Sequence, residues 1–309
     1  TAGLSNMASG GTVTLTTAGA STPVLTVGVA GALTGAADSL TLKLKNASAT
    51  DVGVVTATNV ETINVSAADA TATGGTAVRH TLDLNADAGY TTVNVSGNNG
   101  LVLIADSTAI TSFDASGVVA NGTADTAALL AVSNTFGALA AAATITGGAG
   151  NDTLNAAAAT KAVTITDDAG ADILTGSATA ASNISGGAGG DTITGGAAAD
   201  VIDGGAGTDT FVFSSANVVE QAGSSTTSGV VINLGATTLT GAAVNTASSA
   251  FVSQGTSVAS NTATYLFNGD NSTNASIVDT LTGIENVTGS DLADYIVGSA
   301  TADTIAGAD

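Results

Sequence analysis

Cysteine is absent from this chain of 309 residues. Disulfides, thiolate metal sites and cysteine nucleophiles are excluded with it. Tryptophan is missing too, aromatic residues make up only 3 %, and the apolar content is mostly Ala, Val, Leu and Ile. Small side chains cannot fill a wide interior, so any core must be thin and repetitive. A single proline, Pro23, stands among 40 glycines. Collagen and polyproline linkers are out, and many tight turns are in. No apolar run approaches the ~18 residues of a membrane helix. Basic residues are limited to Lys43, Lys45, Arg79 and Lys161. Four positive charges cannot neutralise a nucleic-acid backbone, which excludes nucleic acid as a partner.

What is present in abundance is acid. The formal net charge is −21, and only three of the 25 acidic residues are glutamates. Glu and Lys are the residues that usually solubilise helices, so their scarcity disfavours helix. Asp suits turns and binds hard cations. An anionic membrane surface would repel such a chain unless divalent cations bridged the two.

Along the chain, residues 1–146 read as short strands with polar turns. TVTLTT (12–17), PVLTVGV (23–29) and SLTLKLK (39–45) alternate with the period of half-buried strands. VETINVSA (60–67), HTLDLNA (80–86), YTTVNVSG (90–97), LVLIADS (101–107) and ITSFDASG (110–117) follow, the last four about ten residues apart. Both a β-solenoid and a sandwich have that spacing. Residues 124–143, rich in Ala and Leu with Asp125 near the start, are the best helix candidate. Residues 213–282 lose all period and read as an irregular insertion with short strands at 230–234 and 264–267. A weaker pattern returns over 283–309.

The block 147–212 carries the chemistry. From Gly186 one nine-residue pattern is written three times without a gap: GGAGGDTIT, GGAAADVID, GGAGTDTFV. This is the nonapeptide G-G-x-G-x-D-x-U-x, a calcium-binding repeat. Ca²⁺ takes six to eight hard oxygens. Glycines let the turn adopt positive φ and aim carbonyls inward, and the Asp adds charge. The following residues make a very short strand whose apolar side chain faces the interior. Two nonads complete one turn, so a loop stacks on the loop two nonads later. GGAGNDTLN (147–155) is a full copy. DDAGADILT (167–175) keeps Gly170, Asp172 and Leu174, with Asp167 and Asp168 replacing the glycine pair. Counting loops in order puts Asp152, Asp172, Asp191 and Asp209 on one edge, with up to three ion sites between loops 147/167, 167/186 and 186/204. Asp200 lies on the other edge, beside Ala198 in place of the third glycine. At 289–306 Asp294 and Asp303 keep their positions, but Ser290 and Ser299 replace the second glycine, and metal binding there stays open.

These residues resemble the RTX family of secreted bacterial proteins, whose nonads form a Ca²⁺-bound parallel β-roll. The resemblance implies an all-β fold, a solenoid with parallel roll segments, short strands and few or no helices. It implies Ca²⁺ ligands at Gly147, Gly148, Gly150 and Asp152, then at Asp168, Gly170 and Asp172. The set continues with Gly186, Gly187, Gly189, Asp191, Asp200, Gly204, Gly205, Gly207 and Asp209. The body of the chain is similar to RTX-type bacterial surface-layer proteins, such as that of Caulobacter, in phrases like NVETINV and ITSFDASG.

Catalytic residues are scarce. His80 is the only histidine, H-E-x-x-H and G-x-S-x-G are absent, and no Walker loop is present. The expectation is therefore a non-enzymatic, secreted, Ca²⁺-dependent structural protein that assembles with itself on the bacterial surface. Surplus Asp38, Asp51, Asp69, Asp83, Asp87, Asp106 and Asp114 would let Ca²⁺ bridge subunits. The rival expectation is the roll or stalk module of a larger toxin, enzyme or adhesin. The sequence opens at Thr1 without a signal peptide and stops at Asp309 in mid-pattern. It reads as a piece of a longer protein, with the cell-surface anchor outside it.

Overall fold

A computed structural model of the chain describes residues 2–15, 24–30, 37–45, 48–68, 77–84, 89–123, 125–213, 228–239, 258–265, 277–290 and 293–307. Within them the chain winds as a flattened solenoid. Strands alternate between two facing sheets, one of 12 and one of 13 strands. Up to Val212 neighbouring strands lie in opposite sheets, and each pairs with the strand one coil before and one coil after. Pairing is parallel along the whole stack. Only the strand Thr262–Tyr265 pairs antiparallel with its neighbours in the sheets. A sandwich would be antiparallel, so residues 1–146 are solenoid.

The coils taper. In the N-terminal part the strands run about six residues, and Leu40, Leu42, Ile63, Val65, Leu82, Leu84, Val93 and Val95 point inward. Phe113 meets Phe136 edge-on, with centroids 5.1 Å apart and rings at 87°. From residue 147 the first-sheet strands shorten to three residues, and those from Thr153 to Thr288 each bury one side chain at the centre. Leu154, Leu174, Ile193, Phe211 and Val287 stack in register in the first sheet. Ile145, Ile165, Ile184, Ile202 and Leu281 stack opposite them in the second. One or two apolar residues per half-coil make the thin core that the composition demands. At ~4.8 Å per strand the stack is roughly 50 Å long.

The helix expected over 124–143 shrinks to Ala127–Leu130. Residues Val132–Thr135 form a strand between Gly100–Ala105 and Thr153–Asn155. The ladder bonds and the burial of Val132, Phe136 and Leu139 outweigh the helix propensity of an Ala-rich stretch. Strands at Ala2–Met7, Asp51–Thr58 and Ile277–Thr282 were not expected from the pattern. The insertion adds two strands, Ser228–Asn233 and Thr262–Tyr265, to the second sheet alone. There they separate Ile277–Thr282 from Ala293–Val297. In the first sheet Asn286–Thr288 pairs directly with Thr304–Ala306. A cavity of about 200 Å³ opens at this wedge, lined by Leu281, Ile284, Glu285 and Thr301 among others.

Candidate metal centre

The turns that lead from the second sheet into the first are stacked on one edge. Those at 167–172, 186–191 and 204–209 are joined by their backbones. Ala169 bridges Ala188, and Ala188–Gly189 pairs with Ala206–Gly207. Gly187, Gly189, Gly205 and Gly207 all have positive φ, between 92° and 149°. A Cβ on Gly189 would lie 1.4 Å from the Gly170 carbonyl oxygen, and one on Gly207 1.5 Å from that of Gly189. Only glycine lets each turn rest on the carbonyls of the turn below.

A carboxylate ladder runs through the same edge. A backbone N–H at each rung donates to the carboxylate one coil later: Val132 to Asp152 Oδ1 at 2.7 Å, Asp152 to Asp172 Oδ1 at 2.7 Å, Asp172 to Asp191 Oδ1 at 2.9 Å and Asp191 to Asp209 Oδ1 at 2.8 Å. Glu285 closes the series by accepting from Asp209 N–H at 3.0 Å. The structure thus brings together the four aspartates expected on one edge. Asp200 stands on the opposite edge in a shorter ladder, accepting from Ser182 and donating to Asp279.

The second carboxylate oxygen divides these aspartates into two kinds. In Asp152 and Asp200 it accepts the N–H of the second glycine of the same turn, Gly148 at 2.7 Å and Gly196 at 2.6 Å. In Asp294 and Asp303 it accepts the N–H of Ser290 and Ser299, whose hydroxyls also bind the first oxygen. In those four the second oxygen has its partner within its own turn. In Asp172, Asp191 and Asp209 the second oxygen is buried without a partner. At the second position of these turns the Asp168 N–H goes to Asp167 Oδ1, and Gly187 and Gly205 have positive φ.

Burial raises the carboxyls of Asp172, Asp191 and Asp209 above the ordinary aspartate range. Charges on neighbouring rungs push in the same direction, and Asp172 reaches about 7. Asp200, buried on the other edge, is raised to about 6. A buried carboxylate that lacks both donor and counter-charge is costly unless a proton or a cation joins it.

The donor set fits calcium. The groups are hard oxygens: the open Asp191 Oδ2 and the Gly204 carbonyl both lie against Gly186, and the open Asp209 Oδ2 and the Gly283 carbonyl both lie against Gly204. Among the described residues no three acidic or imidazole side chains converge on a point. Any ion must therefore take much of its shell from backbone carbonyls, which the positive-φ glycines supply.

Other expected residues fall differently. Gly147, Gly148 and Gly150 lack the positive φ of the later turns. Asp168 points its carboxylate to solvent, and its carbonyl accepts the Ala188 N–H at 2.9 Å. Asp167 is the residue that turns inward, 5 % exposed, and its carboxyl is raised to about 9 by burial and by Asp152, Asp172 and Asp191. The alternation in Val163–Thr166, with Val163 and Ile165 buried, carries one step further to Asp167. Glu285 and Asp279 were missed as ends of the ladders. For Glu285 the signal was the kinship of Ile284-Glu285-Asn286-Val287 with Val60-Glu61-Thr62-Ile63-Asn64-Val65. Glu61 accepts the Asp38 N–H at 2.8 Å, as Glu285 accepts that of Asp209. Asp38 is buried, so it cannot bridge subunits, and Asp69 and Asp87 lie outside the described residues. His80 is fully buried, with Nε2 3.3 Å from Asn99 Nδ2.

No curated protein and no solved structure matches the chain. Proteins with repeats of this kind are typically secreted and extracellular, and no helix among the described residues is long and apolar enough to cross a membrane. One family model matches these turns: the chain carries the RTX calcium-binding nonapeptide repeat over residues 142–159, 181–213 and 279–309.

Proposed function

We propose that this chain is a secreted structural protein that folds on calcium and assembles with copies of itself into a bacterial surface layer. The observation that carries the reading is the column of buried, partnerless oxygens on Asp172, Asp191 and Asp209. Sites made by stacking do not exist in the unfolded chain, so ion binding is folding free energy. Where calcium is scarce, like charges on successive rungs oppose the stack. Outside the cell, calcium neutralises them.

Support for assembly comes from the outward faces. Thr62, Thr92, Ser112, Thr144 and Thr164 follow one another across five strands in register. A stiff face that repeats one short polar side chain offers the same contact many times over, as a lattice subunit needs. The roughly 50 Å rod equally suits the stalk of a larger toxin, enzyme or adhesin, which is the second reading.

The two are separated by adding calcium to chelator-treated protein, following circular dichroism and imaging the product by electron microscopy. Ordered sheets of particles support the surface layer. Strand formation with monomers alone sinks self-assembly and leaves the stalk. A spectrum indifferent to chelator would remove calcium-driven folding from both.

A further inference from the structure

We propose that Asp152 and Asp167 together form a two-carboxylate calcium site between the turns 147–152 and 167–172, and that this site is the first of the column to fill. The proposal rests on the calcium reading of the column. It adds a ligand that the nonapeptide pattern does not contain, in a stretch outside the matched repeats.

Asp167 stands where the repeat has its first glycine. In the later turns that glycine makes room for the aspartate of its own turn. A Cβ on Gly186 would come within 2.3 Å of Asp191 Oδ2, and one on Gly204 within 2.8 Å of Asp209 Oδ2. At Gly147 the occupant comes from the next coil. A Cβ there would lie 2.1 Å and 2.4 Å from the two oxygens of Asp167. Asp167 therefore reaches back one coil and lies against Gly147, next to the Gly148 amide that Asp152 Oδ2 holds at 2.7 Å.

The pair is buried, with Asp152 1 % and Asp167 5 % exposed. Asp167 Oδ1 accepts its neighbour's N–H from Asp168 at 2.9 Å, and Oδ2 has no partner. Asp152 spends one lone pair of each oxygen on Val132 and Gly148, which leaves the others free to bind a metal. Two carboxylates buried on adjacent glycines need a positive charge between them or a shared proton. Arg79, whose charge acts on Asp152, directs Nη2 to Ser133 Oγ. Calcium affinity rises with the number of charged ligands and with rigidity. The later turns bring one buried aspartate each, whereas the turn 167–172 brings two, Asp167 and Asp172, opposite Asp152.

The test is a calcium titration of the whole chain by calorimetry, with the bound ions counted by native mass spectrometry. Wild type is compared with Asp167→Asn and Asp167→Gly. The second variant restores the glycine of the repeat, so the turn keeps a residue suited to it. Both variants are expected to bind one ion fewer and to lose the tightest class, with the first dissociation constant rising about tenfold or more. The weaker classes held by Asp172, Asp191 and Asp209 should titrate as before. Variants that match wild type in ion count overturn the proposal, because the pair then shares a proton. Loss of one ion with the tightest class intact overturns the order of filling. A wild type that binds no calcium would sink the column itself, an outcome distinct from either.

Discussion

Asp191 serves two masters with one carboxylate. Oδ1 holds the Asp172 N–H at 2.9 Å, and Oδ2 is buried and open. The two roles separate by substitution. Asp191→Asn keeps an oxygen for the Asp172 N–H and removes the charge. Asp191→Ala removes both and leaves a buried N–H unpaired, which costs about 1–3 kcal/mol. In calcium, Asn should weaken ion binding at its interfaces, with the calcium midpoint rising on the order of tenfold. In chelator, Asn should melt no lower than wild type, because a charge that nothing balanced is gone, whereas Ala should melt lower. Thermal melts with and without calcium check both. Much of this residue-level detail was legible in the sequence, since the spacing alone placed Asp152, Asp172, Asp191 and Asp209 on one edge. What it could not supply was rotamer and turn. The choice between Asp167 and Asp168 depends on which way the strand before them faces, and the open or closed state of each carboxylate depends on the second-position amide.

The turn is the next unit up. Gly189 sits at φ +148° directly over the Gly170 carbonyl, and its neighbour Gly207 repeats the arrangement. Gly189→Ala must push two coils apart as well as strain its own backbone. The expected loss is roughly 3 kcal/mol or more. Gly122→Ala, with nothing within 4 Å of the added carbon, should stay within about 0.5 kcal/mol. Denaturant unfolding in calcium measures both. Elements of this kind were readable because glycine and aspartate recur in phase over 186–212. The stretch 124–143 misled for the opposite reason. Its Ala and Leu favour helix locally, and the strand Val132–Thr135 exists only because Gly100–Ala105 and Thr153–Asn155 are there to receive it. Pairing between residues about twenty to thirty positions apart leaves no mark in a local window.

For the whole molecule the buried carboxyls set the response to pH. Asp167, Asp172 and Asp200 titrate at about 9, 7 and 6 in the ion-free fold, all above their unfolded value. The folded state then holds more protons than the unfolded one. Stability from these groups is full below the ordinary aspartate value and is lost as pH rises through those higher values. Ion-free protein should therefore unfold more easily at ~pH 8 than at ~pH 5. With calcium the order reverses in affinity, because ions displace those protons and bind more tightly as pH rises. Calcium titrations at several pH values, with proton release followed in weak buffer, test the coupling. An ion-free fold that gains stability with pH would contradict it.

The wedge at the C-terminal end has a consequence for direction. Coils of equal height stack into a straight rod. Between residues 277 and 306 one wall of the stack rises by three strand steps while the other rises by one. The axis must turn there, away from the wall that carries Ser228–Asn233 and Thr262–Tyr265. The insertion is thus an elbow, and whatever follows the last coil leaves along a different line from the one on which the column of aspartates is built.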